Sequence, residues 1–333
     1  MSGFDQALPV IFLGLMGFSM LMYVVLDGYD LGVGMWLQRA TSDEKDIMVA
    51  SIGPFWDANE TWLVLGVGIL LIAFPVAHGV VLTALYLPVA AMLIGLIMRG
   101  VAFDFRVKAK DDLKPLWNTV FFAGSTITSV AQGWMLGRYI TGFADGVAAT
   151  LFAALIALAL PAAYLLIGAA WLIMKTEGEL QLKAVGWARR MFLPLVLGIG
   201  AISVATPIAS PTVRDRWFTM PEFIALAPIP LATLAALGAL WLLLRRSERV
   251  TGDSCWAPFA LAVGVFVLAA AGMGYSLYPY VVMDRLTVWE AASSPAALKV
   301  ILIGVAISVP AILAYTVFAY RVFRGKASVL TYG

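Results

Sequence analysis

The chain has 333 residues, of which 62% are apolar and 13% are charged. Soluble domains carry about 25% charged residues, so this composition excludes an ordinary soluble enzyme, a disordered protein and a nucleic-acid-binding protein. A mean hydropathy of +0.92 predicts an integral helical membrane protein. With one cysteine, Cys255, and one histidine, His78, we expect no disulfide, no thiolate cluster and no metal or haem centre built by this chain alone.

Nine stretches are long and apolar enough to cross a bilayer, which takes about 20 residues of helix. In chain order they are residues 8–37, 53–74, 80–103, 115–137, 146–174, 188–209, 220–244, 255–277 and 296–322. Residues 1–6 contain no Lys or Arg, so we expect the first helix to be retained and not cleaved as a signal peptide. The connecting loops are too short for a soluble catalytic domain.

The basic residues predict the orientation of these helices. If the N-terminus lies outside and the C-terminus inside, the 22 Lys and Arg residues all fall on the inner side except for Arg138, Arg214, Arg216, Arg285 and Lys299. This asymmetry agrees with the positive-inside rule. The sequence therefore predicts nine transmembrane helices with the N-terminus out and the C-terminus in.

A short internal similarity indicates how the helices are organised. Residues 34–41, at the end of the first predicted helix, resemble residues 169–176, at the end of the fifth. Duplicated helix bundles are common in membrane proteins. We predict an all-α fold in one transmembrane domain, residues 1–333, with four-helix units at 8–137 and 146–277 and a peripheral ninth helix at 296–322.

Charged and amide side chains are concentrated in the first three predicted helices. An ionisable side chain at the membrane centre costs about 2.5–3.5 kcal/mol on insertion scales, so each needs a partner, a water-filled cavity or a function. The candidate site residues are Asp27, Asp30, Asp57, Asn59, Glu60, Arg99 and Asp104.

All the acids of this set lie in the inner half of their predicted helices. Asp57 falls about four residues inside the second predicted helix, and Glu60 follows on the same face. Carboxylates bind and release protons readily, and Asn59, Thr61 and Asn118 could hold water between them. A cluster that opens only toward the cytoplasm therefore favours proton intake.

A structural interpretation of the same residues stays open. Asp57 or Asp30 could pair with Arg99 and fasten the first three helices together, and Asp27 and Asp30 could also be solvated. The glycines at 28, 32 and 34 are typical of a close helix–helix contact, or less often of a backbone bend that exposes carbonyls to an ion. We expect His78 to lie exposed in an outer loop and not to be a haem ligand.

Three motifs resemble a known family. Residues 26–34 (Leu-Asp-Gly-Tyr-Asp-Leu-Gly-Val-Gly), 55–62 (Phe-Trp-Asp-Ala-Asn-Glu-Thr-Trp) and 99–106 (Arg-Gly-Val-Ala-Phe-Asp-Phe-Arg) are similar to subunit II of the bacterial cytochrome bd-type quinol oxidases. Residues 131–137 and 287–294 extend the resemblance along the chain. The form Ala-Gln-Gly-Trp-Met-Leu-Gly at 131–137 is most similar to the cyanide-insensitive branch.

The resemblance implies a partner and a place in the cell. The partner is a haem-bearing subunit I with two haems b and either haem d or haem b in its place, where ubiquinol is oxidised at the outer face while oxygen is reduced to water. The complex lies in the bacterial inner membrane, surrounded by lipid. The resemblance also allows a small single-helix accessory subunit and a structural quinone in subunit II.

Residue by residue, the resemblance implies that the family's proton route passes through Asp57, with Glu60 and Asn59 beside it. Asp27, Asp30, Arg99 and Asp104 would support the haem environment and subunit packing; no catalytic or metal-binding residue is expected in this chain. Where some members have an acid after the fourth-helix tryptophan, this chain has Asn118. The alternatives are a proton-coupled secondary transporter and a purely structural scaffold.

Overall fold

The computed structural model describes residues 3–327, which fold almost entirely into helices. The ends of the predicted domain, residues 1–2 and 328–333, lie outside the described residues. The helices are α1 (Gly3–Trp36), α2 (Ser42–Ile52), α3 (Trp56–Ala73), α4 (Pro75–Lys108), α5 (Lys114–Ile140), α6 (Val147–Lys175), α7 (Gly178–Ala209), α8 (Pro211–Phe218), α9 (Glu222–Leu226), α10 (Pro228–Arg245), α11 (Ser247–Val250), α12 (Ala257–Leu277), α13 (Val288–Ala291) and α14 (Pro295–Val322). A 3-10 helix, Leu37–Arg39, follows α1, and the strands β1 (Tyr280–Val282) and β2 (Leu286–Thr287) pair antiparallel before α13.

The nine predicted spans correspond to α1, α3 to α7, α10, α12 and α14. Eight helices of the described chain are both long and apolar enough to cross a membrane. The remaining one, α5, has 27 residues, but its buried face carries Ser125, Thr128, Ser129 and Gln132. The all-α membrane fold is therefore confirmed, whereas nine crossings and the N-out, C-in orientation stay predictions.

Helix α1 lies at the centre of the fold. It packs against α3, α5 and α6, and its second half is buried on nearly all sides. Where α1 crosses α6, Gly32 faces Gly168, and a Cβ added to Gly168 would lie 2.6 Å from the backbone of Gly32. The predicted close helix contact is confirmed, because only glycine lets the two backbones approach this far.

The connection between the first two predicted spans contains a helix, α2, which the sequence analysis did not predict. The Thr41 hydroxyl accepts from the Glu44 backbone N–H, and the Glu44 carboxylate accepts from the Thr41 backbone N–H. This capping box starts a helix locally. Helix α3 then begins at Trp56 and not at residue 53, which places Asp57 in its first turn.

The predicted exposed loop around His78 was wrong. Phe74 alone separates α3 from α4, and α4 begins at Pro75, a residue that suits the first turn of a helix. His78 therefore lies in the first turn of α4 and is half-buried.

Helix α14 is mostly exposed along its length, with outward-facing residues such as Val300, Ile303 and Ile307. Its C-terminal end is attached to the rest of the molecule, because the Lys175 ammonium of α6 donates to the carbonyls of Phe323 (2.6 Å) and Gly325 (3.1 Å). The division into two four-helix units and a ninth helix stays a prediction.

Candidate functional site

Arg99 of α4 joins two carboxylates deep in the protein. Its Nη1 donates to Asp27 Oδ1 of α1 at 2.5 Å, and its Nη2 donates to the Glu60 carboxylate of α3. The side chains of Arg99 and Asp27 are 2% and 1% exposed, whereas that of Glu60 is 30% exposed. We call Asp27, Glu60 and Arg99 the Arg99 cluster; it connects three helices through one cation.

A second cluster surrounds Asn59 of α3. The Asn59 amide nitrogen donates to Asp30 Oδ2 at 2.8 Å and to the Tyr29 hydroxyl at 2.9 Å. The Tyr320 hydroxyl of α14 donates to Asn59 Oδ1 at 3.3 Å and lies 2.5 Å from the Tyr29 hydroxyl. We call Tyr29, Asp30, Asn59 and Tyr320 the Asn59 cluster; it brings α14 to the polar core.

A third polar contact lies one turn away from Asp27 along α1. Gln132 of α5 donates to the Tyr23 hydroxyl at 2.7 Å and accepts from the Tyr164 hydroxyl of α6 at 2.6 Å. All three side chains are buried. Polar groups therefore follow α1 through successive turns, at positions 23, 27 and 30.

At the edge of this core the acids become exposed. Asp57, in the first turn of α3, is exposed and lies one turn before Glu60; Asp104 of α4 is exposed as well. Within residues 3–327 neither carboxylate makes an ion pair. Asp57, Glu60 and Asp27 thus form a series from an exposed to a fully buried carboxylate.

A separate ion pair holds α2 against α4. Arg106 Nη2 lies 2.7 Å from Asp46 Oδ1, and Arg106 Nε donates to Asn118 Oδ1 of α5 at 2.5 Å. Asp46 already neutralises this guanidinium, so the neutral amide of Asn118 completes its hydrogen bonds without a second acid.

The structure corrects the predicted charge pairing. Arg99 was expected to bind Asp57 or Asp30, but it binds Asp27 and Glu60 instead. Asp27 and Asp30 are also not solvated, since both are 0% exposed. The reason is that Asn59 occupies the position beside Asp30 and leaves the guanidinium to Asp27.

The two tyrosines of the Asn59 cluster, Tyr29 and Tyr320, were not among the site residues predicted from the sequence. Tyr29 stands between Asp27 and Asp30, so its place in the motif was a usable signal. Tyr320 lies 261 residues from Asn59 in the chain and in an apolar helix, so the sequence carries no sign of this contact.

The donor set suits the binding and transfer of protons. Carboxylates, phenol hydroxyls and an amide lie within hydrogen-bond distance of one another in the two clusters. Three of their buried atoms have no hydrogen-bond partner, namely Asp27 Oδ2, Asp30 Oδ1 and Arg99 Nε. Among residues 3–327, no group of three or more His, Cys, Asp or Glu side chains has the arrangement of a metal site.

Fold and site together define a multi-pass membrane protein whose buried charge clusters lead to exposed acids at one end of the helices. Residues 8–323 match the family described as cytochrome bd terminal oxidase subunit II. The chain belongs to this family, and the predicted resemblance is confirmed.

Relatives cover nearly the whole chain. Cytochrome bd ubiquinol oxidase subunit 2 of Bacillus subtilis (strain 168) is 27% identical over 92% of this chain and 93% of the relative. Cytochrome bd-I ubiquinol oxidase subunit 2 of Escherichia coli (strain K12) is 27% identical over 94% of this chain and 93% of the relative.

A solved bd oxidase from Geobacillus thermodenitrificans matches with a TM-score of 0.79 and 18% identity, over 95% of this chain and 98% of that chain. This match shows that the fold is shared. The chain is thus a multi-pass subunit of a bacterial inner-membrane terminal oxidase, a respiratory oxidoreductase complex.

Proposed function

We propose that this chain is the haem-free subunit of a quinol:oxygen oxidoreductase, that it supports the haem-bearing subunit I and that it conducts cytoplasmic protons for the reduction of oxygen to water. Family membership supports the oxidase complex, and the names of the relatives support ubiquinol as the reductant. The haems of subunit I would supply the electron transfer and oxygen chemistry.

The observation that carries the proton assignment is the series of carboxylates from the surface inward. Asp57 is exposed and can exchange protons with water. Glu60 lies one turn further along α3 and is partly buried, and its contact with Arg99 joins it to buried Asp27. Protons entering at Asp57 would therefore reach Glu60 at the edge of the polar core. The permanently protonated Arg99 guanidinium would hold the carboxylates in place and would not itself relay a proton.

The placement of the haems on the partner agrees with the position of His78. This histidine is in the first turn of α4, roughly 30 Å along the helix from Arg99 by helical rise. In this proposal Arg99, Asp27, Asp30 and Asp104 keep the helices and their charges in position beside subunit I. The accessory subunit, the structural quinone and the cyanide-insensitive branch stay predictions.

Neither alternative explains the site as well. Secondary transporters commonly bind substrate at interrupted helices near the midplane, whereas here α1 and α4 run unbroken past both clusters, and α3 begins at Trp56 with Asn59 and Glu60 in its first turns. A pure scaffold accounts for the Arg99 cluster, but not for an acid at Asp57 that contacts no cation in the described part of the chain.

The test is Asp57→Asn in the complete oxidase complex. Asp57 is exposed, so we expect normal assembly and haem content. Oxygen consumption with excess quinol should fall about tenfold or more, because proton transfer by a positioned group contributes about 10²–10⁴-fold to a rate.

Asp112→Asn is the matched control, because Asp112 is also exposed at the inner end of the helices and should leave turnover unchanged. If Asp57→Asn consumes oxygen at the wild-type rate, the proton assignment is wrong and the scaffold interpretation is supported.

A further inference from the structure

The buried charges of the two clusters do not balance. Asp27 and Asp30 are both 0% exposed and Arg99 is 1% exposed. Arg99 neutralises Asp27 through a direct ion pair, and Glu60 keeps 30% of its side chain exposed. Asp30 is therefore a fully buried acid without an ion pair in the described part of the chain.

No group in the described part of the chain makes an ion pair with Asp30. Its Oδ2 accepts from the Asn59 amide, and among the described residues its Oδ1 has no hydrogen-bond partner. The neighbouring titratable groups are Asp27 and Tyr29 on α1, Glu60 on α3, Arg99 on α4 and Tyr320 on α14. The tyrosines bond to each other and to Asn59, and both terminal nitrogens of Arg99 bond to other carboxylates.

The cavity beside Asp30 is narrow and mostly apolar. It is lined by Ile52, Trp56, Phe103 and Phe121 together with Arg99. A buried ionised carboxylate without a hydrogen-bonded cation is too costly to persist and takes up a proton instead.

We infer that Asp30 is a proton-binding site whose carboxyl group is neutral in the resting protein. Oδ2 is the carbonyl oxygen that accepts from Asn59, and Oδ1 carries the proton. The buried part of both clusters then holds one anion, Asp27, and one cation, Arg99. This inference depends on burial and charge balance, and it holds whether or not protons pass through Asp57.

Infrared spectroscopy of the complete complex tests the inference. The carbonyl stretch of a protonated carboxylic acid is distinct from carboxylate bands and shifts in D2O. In the difference between wild type and Asp30→Asn at neutral pH, we expect loss of a protonated carboxyl band. The control Asp43→Asn removes an exposed acid and should lose carboxylate bands only. Loss of carboxylate bands in Asp30→Asn would overturn the inference.

Assembly provides a second measurement. Asparagine has nearly the shape of a neutral aspartic acid, so Asp30→Asn should keep the yield of assembled complex within about twofold of wild type. Asp27→Asn removes the buried partner of Arg99 and should lower the yield by more than about tenfold. Equal losses in both variants would show that Asp30 is needed as an anion, contrary to the inference.

Discussion

Helices α1 and α6, which contain the two ends of the predicted internal similarity, have different interiors. In the N-terminal half, α1 to α5, the buried residues of α1 include Asp27 and Asp30, nine and six residues before Trp36. In the second half, α6 to α12, the residues at the same spacing before Trp171 are Ala162 and Leu165. Both of these residues are half-buried and neither is charged.

This difference argues for a function of the charges. Apolar residues can replace buried ion pairs without loss of stability in many proteins, so packing alone does not require the buried acids of α1. The charge of Lys175 at the C-terminal end of α6 is bound by backbone carbonyls, and within residues 3–327 it makes no ion pair. We therefore expect the acids of the N-terminal half to do more than pack the helices.

The largest expected effect comes from breaking the Arg99 cluster. Arg99→Leu leaves Asp27 buried and unpaired, which costs about 3–5 kcal/mol. We expect loss of assembled complex and of its haem, measured by yield and by the haem spectrum. Normal haem content together with normal activity in this variant would refute the role of the ion pair.

Arg189→Leu in the second half is the matched control. Arg189 donates to the Leu244 carbonyl at 2.7 Å and to the Ser247 hydroxyl at 2.8 Å, and within residues 3–327 it pairs with no carboxylate. Its loss leaves no buried acid, so we expect a cost of only about 1–3 kcal/mol. The comparison separates the effect of the buried acid from that of removing an arginine.

An intermediate effect is expected where the two halves meet. Gly168→Ala places a methyl group 2.6 Å from the backbone of Gly32, and such overpacking costs about 1–3 kcal/mol. Thermal unfolding of the purified complex should shift to lower temperature. Gly14→Ala on α1 is the control, because no atom lies within 4 Å of the added Cβ. Equal shifts of the unfolding temperature in the two variants would contradict a close contact between α1 and α6.

The smallest effect concerns the contact between α2 and α7. Partial burial acts to raise the pKa of Glu44, but hydrogen bonds from Lys183 (2.7 Å) and Thr41 outweigh it, and the pKa lies below its usual value. The contact therefore stabilises the fold above the unfolded-state pKa of about 4.3 and is lost as the pH falls through the lowered folded-state value.

Glu44→Gln should lower the free energy of unfolding by about 0.2–1 kcal/mol near neutral pH, as for other partly exposed ion pairs. It should also remove the loss of stability in acid that comes from protonation of Glu44. Thermal unfolding of wild type and variant at pH 7 measures the first effect, and the same comparison in acid measures the second. A variant that loses as much stability in acid as the wild type would contradict the assignment to Glu44.

The apolar periodicity of the chain was enough to predict the long helices, because a bilayer demands continuous apolar stretches of fixed minimum length. The acids of the site were found for the same reason, since charges stand out in such stretches. Helix α2 was missed because it has the polar composition of a loop, although Thr41 and Glu44 already carried a capping signal.

The pairing of the charges was beyond the sequence. Helical spacing placed Asp27 and Asp30 on one face of α1, but it could not say which of them Arg99 reaches. That choice depends on the side chain that fills the remaining space, here Asn59, and on a tyrosine contributed by α14.

By itself, then, the sequence determined the membrane class, the helix positions and the acids that a lipid environment makes conspicuous. Only the tertiary structure decided that Arg99 binds Asp27 and Glu60, and that Asp30 is buried without an ion pair in the described part of the chain. Hydropathy is a property of local sequence, whereas ion pairing depends on distances of a few ångströms between helices that are far apart in the chain.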